Sequence, residues 1–193
     1  MGMTYQPPNP LVLYEQATGT QCGTGESAMG PFYCPRDSRV YLDLTFFQEL
    51  SSRFNAPGDF AQAYVIAHEI GHHVQNLLGA SEQVLQAEAR AGSRRSANRY
   101  SVALELQADC FAGVWAAHAG EVSGGKVALE PGDLDEGLRA AASVGDDTLQ
   151  KQTRGRVVPD SFTHGSAAQR QHWLQQGYST GDPKACDTFT EIR

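Results

Sequence analysis

The stretch Ala67–Gln75 reads Ala-His-Glu-Ile-Gly-His-His-Val-Gln, and it constrains the chain more than any other. Inside it lies His68-Glu69-Ile70-Gly71-His72, an H-E-x-x-H pattern. Two imidazoles four positions apart on a helix stand on one face, one turn from each other. Both rings then reach a single ion at bond lengths of roughly 2.0–2.1 Å. Glu69 follows the first histidine and stands beside the ion, where it can hold a water and take its proton. The pattern therefore demands a helix here. It also demands a third ligand from elsewhere, because a catalytic zinc takes three protein ligands and leaves one position open.

The surrounding residues supply the helix. Asp59 can cap it, the run extends over about 60–78, and Gly79 can end it. Tyr64, Ala67, His68, Gly71 and His72 share one broad side, while Val65, Ile70, Val74 and Leu77 fill much of the rest. A helix apolar nearly all round is a buried one. Gly71 lacks a side chain where the metal face needs room.

The longer pattern H-E-x-x-H-x-x-G-x-x-H would bring a third histidine, but Gln75 stands at its Gly place and Leu78 at its last His. A second strong helix, expected over 96–119 with a Ser96 cap and Gly120 at its end, offers acids instead. Glu105 and Asp109 are four apart on one face, among Val102, Ala103, Leu104, Leu106, Ala108, Cys110 and Phe111. Acids buried in such company are costly without partners. A metal and a ligating imidazole would be those partners. Glu105 is then the third ligand, and Asp109 accepts the free ring N–H of a ligating histidine, expected to be His68, and fixes its tautomer. An exposed charged stripe is the competing reading. It would want Lys or Arg at the flanking helical positions, where Ser101 and Gly113 stand.

Elsewhere helix dominates. Residues 1–10 are polar and Pro-rich and read as extended, Leu11–Tyr14 as a strand or a helix start, and Thr18–Gly30 as loop. Pro31–Pro35 and Arg39–Leu44 read as a hairpin ahead of the metal helix. Thr45 and Gln48 have the form of a capping box for a helix over 46–54, which Pro57-Gly58 stops. An exposed helix over 81–91 precedes a loop at 92–95. Asp133 and Glu136 open a helix to Val144, Gly145 starts a short one, and 157–165 is loop. Ser166 and Gln169 cap a last helix that Gly177 ends. The expectation is one domain over 1–193, mainly α in an α+β arrangement.

A formal charge of −7 argues against nucleic acid, which wants a basic face. No apolar run of about 18 residues is present, so no membrane span is expected. Met1-Gly2-Met3 reads as an added start, with an anchor or signal removed ahead of it. Cys22, Cys34, Cys110 and Cys186 form no C-x-x-C. An even count at wide spacing suits two disulfides and an oxidising compartment. Cys22–Cys34 closes a short loop and is the first choice, leaving Cys110–Cys186; four reduced, buried thiols are the alternative. No pattern sets an oligomeric state.

H-E-x-x-H followed by a later E-x-x-x-D resembles the gluzincins, the thermolysin-like zinc peptidases. Longer strings are more specific: Gly30-Pro31-Phe32-Tyr33-Cys34-Pro35, Ala63-Tyr64-Val65-Ile66-Ala67-His68-Glu69, Gly71-His72-His73-Val74-Gln75-Asn76, Glu105-Leu106-Gln107-Ala108-Asp109-Cys110 and Ser161-Phe162-Thr163-His164-Gly165. Together they resemble the bacterial putative neutral zinc metallopeptidase family over roughly 10–190. The resemblance implies a zincin-like metallopeptidase domain, with a small N-terminal hairpin or sheet beside the active-site helix. It implies one Zn2+ held by His68, His72 and Glu105. Members often carry an N-terminal membrane anchor, which points to a periplasmic, cell-surface or secreted setting.

The segment around His164 is similar to the late Ser-His-Pro segment of membrane-associated gluzincins, whose histidine donates to the oxyanion. The likeness gives His164 that role, with Arg170 bracing it or clamping a substrate carboxylate. His73 points about 100° away from His72 and reads as structural. His118 and His172 read as helix-surface residues.

The activity so implied is hydrolysis of a peptide or protein substrate, with Glu69 as general base. The Arg39–Leu44 strand is expected to take an extended substrate by edge addition. Two rivals stand beside this: a non-catalytic zinc-stabilised binding or assembly domain, which would have no use for Glu69, and a zinc hydrolase of a non-peptide amide such as one in the cell wall.

Overall fold

The computed structural model describes residues 4–192. Among them, strand β5 (Arg39–Asp43) is the centre of a small sheet. It pairs in parallel with β1 (Val12–Tyr14) and antiparallel with β4 (Phe32–Cys34). The β4–β5 hairpin is the expected one. Its two-sided pairing speaks against one expectation, however: β4 takes one edge at 39–41 and β1 the other at 41–43, so neither edge is free along its length for a substrate chain.

The stretch expected as loop over 18–30 contains a second hairpin, β2 (Ala17–Thr20) with β3 (Gly23–Glu26). Its glycines hid it, since Gly is depleted in strands. Gly25 lies directly under the Phe32 ring, where a Cβ would find no room, so packing against β4 favours the residue that propensity disfavours. The Cys22–Cys34 disulfide pins the hairpin tip to β4.

Asp43 ends β5 fully buried and caps α1 (Leu44–Ser52), its carboxylate accepting from the N–H and the hydroxyl of Thr45. The helix thus starts earlier than a Thr45 cap would set. Gly58 precedes α2 (Asp59–Leu77), so Asp59 lies in the first turn rather than capping it. Helix α3 (Ala80–Arg90) leads to α4 (Arg94–Val122), which Ser93 rather than Ser96 caps by accepting from the Ser96 N–H. Next come α5 (Asp133–Ser143), preceded by Gly132, α6 (Asp146–Arg154) and α7 (Ala167–Thr180), the last opened by the expected Ser166/Gln169 box.

Helices α2, α4, α5 and α7 meet around Phe60, Ala61, Tyr64, Val65, Ala112, Ala116, Ala140, Ala141 and Leu174. The many alanines let the axes approach closely. Helix α2 is not buried all round. Ile66, Ile70 and Val74 are half-buried and line an apolar groove of about 530 Å³ with Phe111 and Val114 of α4.

Gly177 does not end the last helix; Gly181, at φ 59°, does. Gly177 is a packing residue. A Cβ there would overlap the Cys110 carbonyl, and one on Gly113 would overlap the Leu174 carbonyl, so α4 and α7 touch backbone to backbone. Gly177→Ala is therefore expected to destabilise the protein by about 1–3 kcal/mol or more, through overpacking, in urea denaturation.

The second disulfide joins Cys110 of α4 to Cys186 near the C-terminus. Both bonds point to an oxidising, extracytoplasmic setting. No helix among the described residues is long and apolar enough to cross a membrane.

Candidate metal centre

Helices α2 and α4 cross where Gly71 faces Ala108. A Cβ on Gly71 would stand 3.0 Å from the Ala108 carbonyl oxygen, so any larger residue would push the helices apart. This crossing brings the two imidazoles of α2 against the two acids of α4. His68 Nε2 lies 3.1 Å from His72 Nε2 and 3.2 Å from Glu105 Oε2. His72 Nε2 lies 3.4 Å from Glu105 Oε1. Ligands bonded at about 2.05 Å around a tetrahedral ion stand about 3.3 Å apart; the two rings meet this spacing with each other and each meets it with a different oxygen of Glu105, which places the three groups around one small space. The donor set, two imidazoles and a carboxylate, fits zinc as well.

Each imidazole is held from behind. His68 Nδ1 lies 2.8 Å from Asp109 Oδ1, and His72 Nδ1 lies 2.8 Å from Gln75 Oε1. If each Nδ1 donates to its oxygen, both Nε2 atoms face Glu105 free of hydrogen. Gln75 is fully buried and in turn donates to the Leu104 carbonyl, next to Glu105 in sequence. It ties the orientation of His72 to α4. In the sequence Gln75 stands out as the residue at the missing glycine of the longer pattern, while its place one turn after His72 is the signal of this role.

Asp109 is fully buried and carries more than His68. Tyr64 donates to its Oδ1 at 2.6 Å, and Arg170 grips both oxygens at 2.8 and 2.9 Å. Arg170 also reaches the Tyr64 oxygen at 3.1 Å. This corrects the reading of Arg170 as a brace for His164 or a clamp for substrate: it is 4% exposed and its fork is spent on Asp109. The sequence offered no sign of a partner 61 residues away.

The charges follow from this packing. Burial works against ionising Asp109, but the Arg170 guanidinium and the His68 ring outweigh it and pull the pKa down to about 2. Burial also works against a charged His68, yet Asp109 and Glu105 push its pKa up to about 10 without metal. Glu105 lies well below the usual carboxylate range, because His72 and His68 more than offset its burial. Glu69 is 6% exposed, and burial pushes its carboxyl up, against the pull of His68 and His72.

His164 stands on the turn before α7, its ring about half exposed and near enough to Glu105 to feel that charge. His73 is buried, its Nδ1 at 2.9 Å from the Tyr33 hydroxyl and its Nε2 at 2.7 Å from the Gln6 carbonyl, where it joins α2 to β4 and to the N-terminal segment. His172 is exposed, while the partly exposed His118 bonds the Gly181 carbonyl at the end of α7.

Comparison with known proteins gives one coherent answer. The chain is 55% identical to uncharacterized protein YpfJ of Escherichia coli strain K12 over 189 residues, covering 98% of this chain and 64% of that protein. It is 52% identical to uncharacterized protein Rv2575 of Mycobacterium tuberculosis over 186 residues, covering 92% of this chain and 61% of that one. The chain thus spans less than two thirds of the length of these relatives. No solved structure matches it. The model of one family, described as putative neutral zinc metallopeptidase, matches residues 1–189. With the match running over nearly its whole length, the chain belongs to the putative neutral zinc metallopeptidase family.

Proposed function

We propose that this chain is a zinc-dependent peptidase of zincin-like fold, in which His68, His72 and Glu105 hold one ion and Glu69 is the general base. The observation that carries this reading is the convergence of two imidazole Nε2 atoms and the Glu105 carboxylate from two helices, with ligand atoms within 4.8 Å of one another and a buried carboxylate on the residue after the first histidine. A structural zinc site needs no such neighbour.

Bound there, zinc supplies Lewis acidity, polarising the scissile carbonyl and bringing the pKa of water at the site to about 7. Glu69 takes the proton of the attacking water. It then passes that proton to the leaving nitrogen as the C–N bond breaks. His164 donates to the carbonyl oxygen as charge builds on it, a contact of a kind worth about 2.7–4 kcal/mol of barrier. Asp109, with Tyr64 and Arg170 behind it, keeps His68 in one tautomer. The substrate is a peptide or protein met outside the cytoplasm, in keeping with the two disulfides.

Digestion of a peptide library by the zinc-loaded protein, beside metal analysis, tests the reading. Cleavage of wall-derived amides and of no peptide would overturn it. A second prediction concerns uptake of the ion. His68 is protonated at neutral pH without metal and must lose that proton to ligate. Zinc binding is therefore expected to release protons and to tighten as pH rises from 6 to 8, about tenfold per pH unit for each proton released. Calorimetry in buffers of different ionisation enthalpy would read this, and a pH-independent affinity would contradict it.

A further inference from the structure

We propose that Asp146 is the positioning residue for His164, its carboxylate holding both the turn that carries the histidine and the Nδ1 side of the ring. The inference rests on the peptidase reading above, but its geometry stands apart from the ion. Asp146 is the first residue of α6, and its side chain turns away from its own helix. Its Oδ2 accepts three successive backbone N–H groups, from Thr163 at 2.7 Å, His164 at 2.7 Å and Gly165 at 3.1 Å. Its own N–H donates back to the Gly165 carbonyl at 2.8 Å. The next residue repeats the arrangement, with Asp147 Oδ1 accepting from the Ala167 N–H at 2.7 Å.

The turn is fixed from its other side as well. Gly165 sits at φ 91°, and a Cβ there would stand 3.1 Å from Leu106 Cδ2 on the ligand-bearing helix. The turn is thereby packed between α4 and α6.

The remaining oxygen, Asp146 Oδ1, lies 3.5 Å from His164 Nδ1. The Thr163 hydroxyl lies 3.0 Å from the same nitrogen. Both engage Nδ1, and no described residue bonds Nε2. That leaves Nε2 as the atom offered outward. The contrast in exposure matters here. The His164 side chain is 53% exposed and would by itself sample several rotamers, while the Asp146 side chain is 12% exposed and held by three donors. A half-exposed donor can be aimed only by something fixed beneath it. The charged groups around the ring are Asp146, Glu105 and Arg170; the first two favour its protonated, donating form over burial and over Arg170.

Asp146→Asn separates the two tasks. Its amide oxygen can still accept the three N–H groups, which turns the amide nitrogen toward Nδ1 and removes the anionic partner. Asp146→Ala removes both tasks. In the zinc-loaded full chain, the His164 titration is followed by NMR, with its signal assigned through His164→Asn. Wild type is expected to show the neutral ring as the Nδ1–H tautomer, and Asp146→Asn to lower the titration midpoint. With a peptide substrate, Asp146→Asn is expected to lower kcat about 10–100-fold, as loss of an orienting partner does, with KM changed less than about twofold. In the His164→Asn background the same change should cost less than about twofold, because a positioning residue acts only through the group it positions. An Nε2–H tautomer in wild type, an unmoved midpoint, or full multiplication of the two losses would each overturn the proposal. The tautomer needs no variant, so it decides even if Asp146 variants do not fold. If wild type cleaves no peptide, the peptidase reading fails, and the NMR arm still decides whether Asp146 holds the ring.

Discussion

Glu69→Gln is expected to retain zinc and to lose about 10²–10⁴-fold in kcat toward peptides, the range typical of a removed general base. The amide has the size of the carboxylate, so the α2–α4 crossing should stand unchanged. The loss follows from what Glu69 does not do. It lies 6% exposed, yet its carboxylate makes no hydrogen bond or ion pair with the described residues. Its oxygens are not among the sealed, unpartnered polar atoms of the described residues, so they still reach solvent, as a group that must meet a water requires. Burial also raises its pKa, which suits a group that must both take and return a proton near neutrality. Steady-state kinetics beside metal analysis checks this. A variant with a full complement of zinc and wild-type turnover would leave the general-base assignment without support.

Arg170→Met is expected to be the most damaging substitution away from the ion. It leaves Asp109 fully buried with its main counter-charge gone, a defect of about 3–5 kcal/mol in urea denaturation of the metal-free protein at pH 7. The pH dependence has a definite sign. Asp109 has a folded pKa of about 2, below its ordinary value, so the stability it contributes is present above about pH 4 and is lost as pH falls through 2. Without Arg170 that carboxyl takes up a proton more readily, so the deficit of the variant should narrow toward acid. Zinc affinity should fall with it, by about 10–100-fold, since Asp109 would no longer hold His68 firmly. A deficit below about 1 kcal/mol at pH 7 would show that water replaces the guanidinium.

The sequence made part of this arrangement visible for physical reasons. His68, His72, Glu105 and Asp109 could be found because helical periodicity turns a spacing of four into a shared face, and because acids in an apolar run need partners. The contacts of Arg170, Tyr64 and Asp146 were hidden, since their partners lie 61, 45 and 17–19 residues away and no local period reports such contacts. The α2 to α7 helices were legible within a few residues, as composition and turn residues mark them locally, although Asp59, Ser96 and Gly177 do not cap where expected. The β2–β3 hairpin was not, because its glycines are selected by the Phe32 ring lying over Gly25. Gly177 was misread for a related reason: a glycine that stops a helix and one that admits a neighbouring backbone look the same in one dimension.

Contact at Gly113 and Gly177 leaves no side chain between α4 and α7 at their crossing. At that seam the spacing of α4, which carries Glu105, from α7 is gauged by main chain against main chain, which has no rotamers through which to relax. Exchanges among neighbouring core side chains are expected to leave that spacing in place, provided these two positions stay bare. The seam buffers the chemistry against drift in the packing around it.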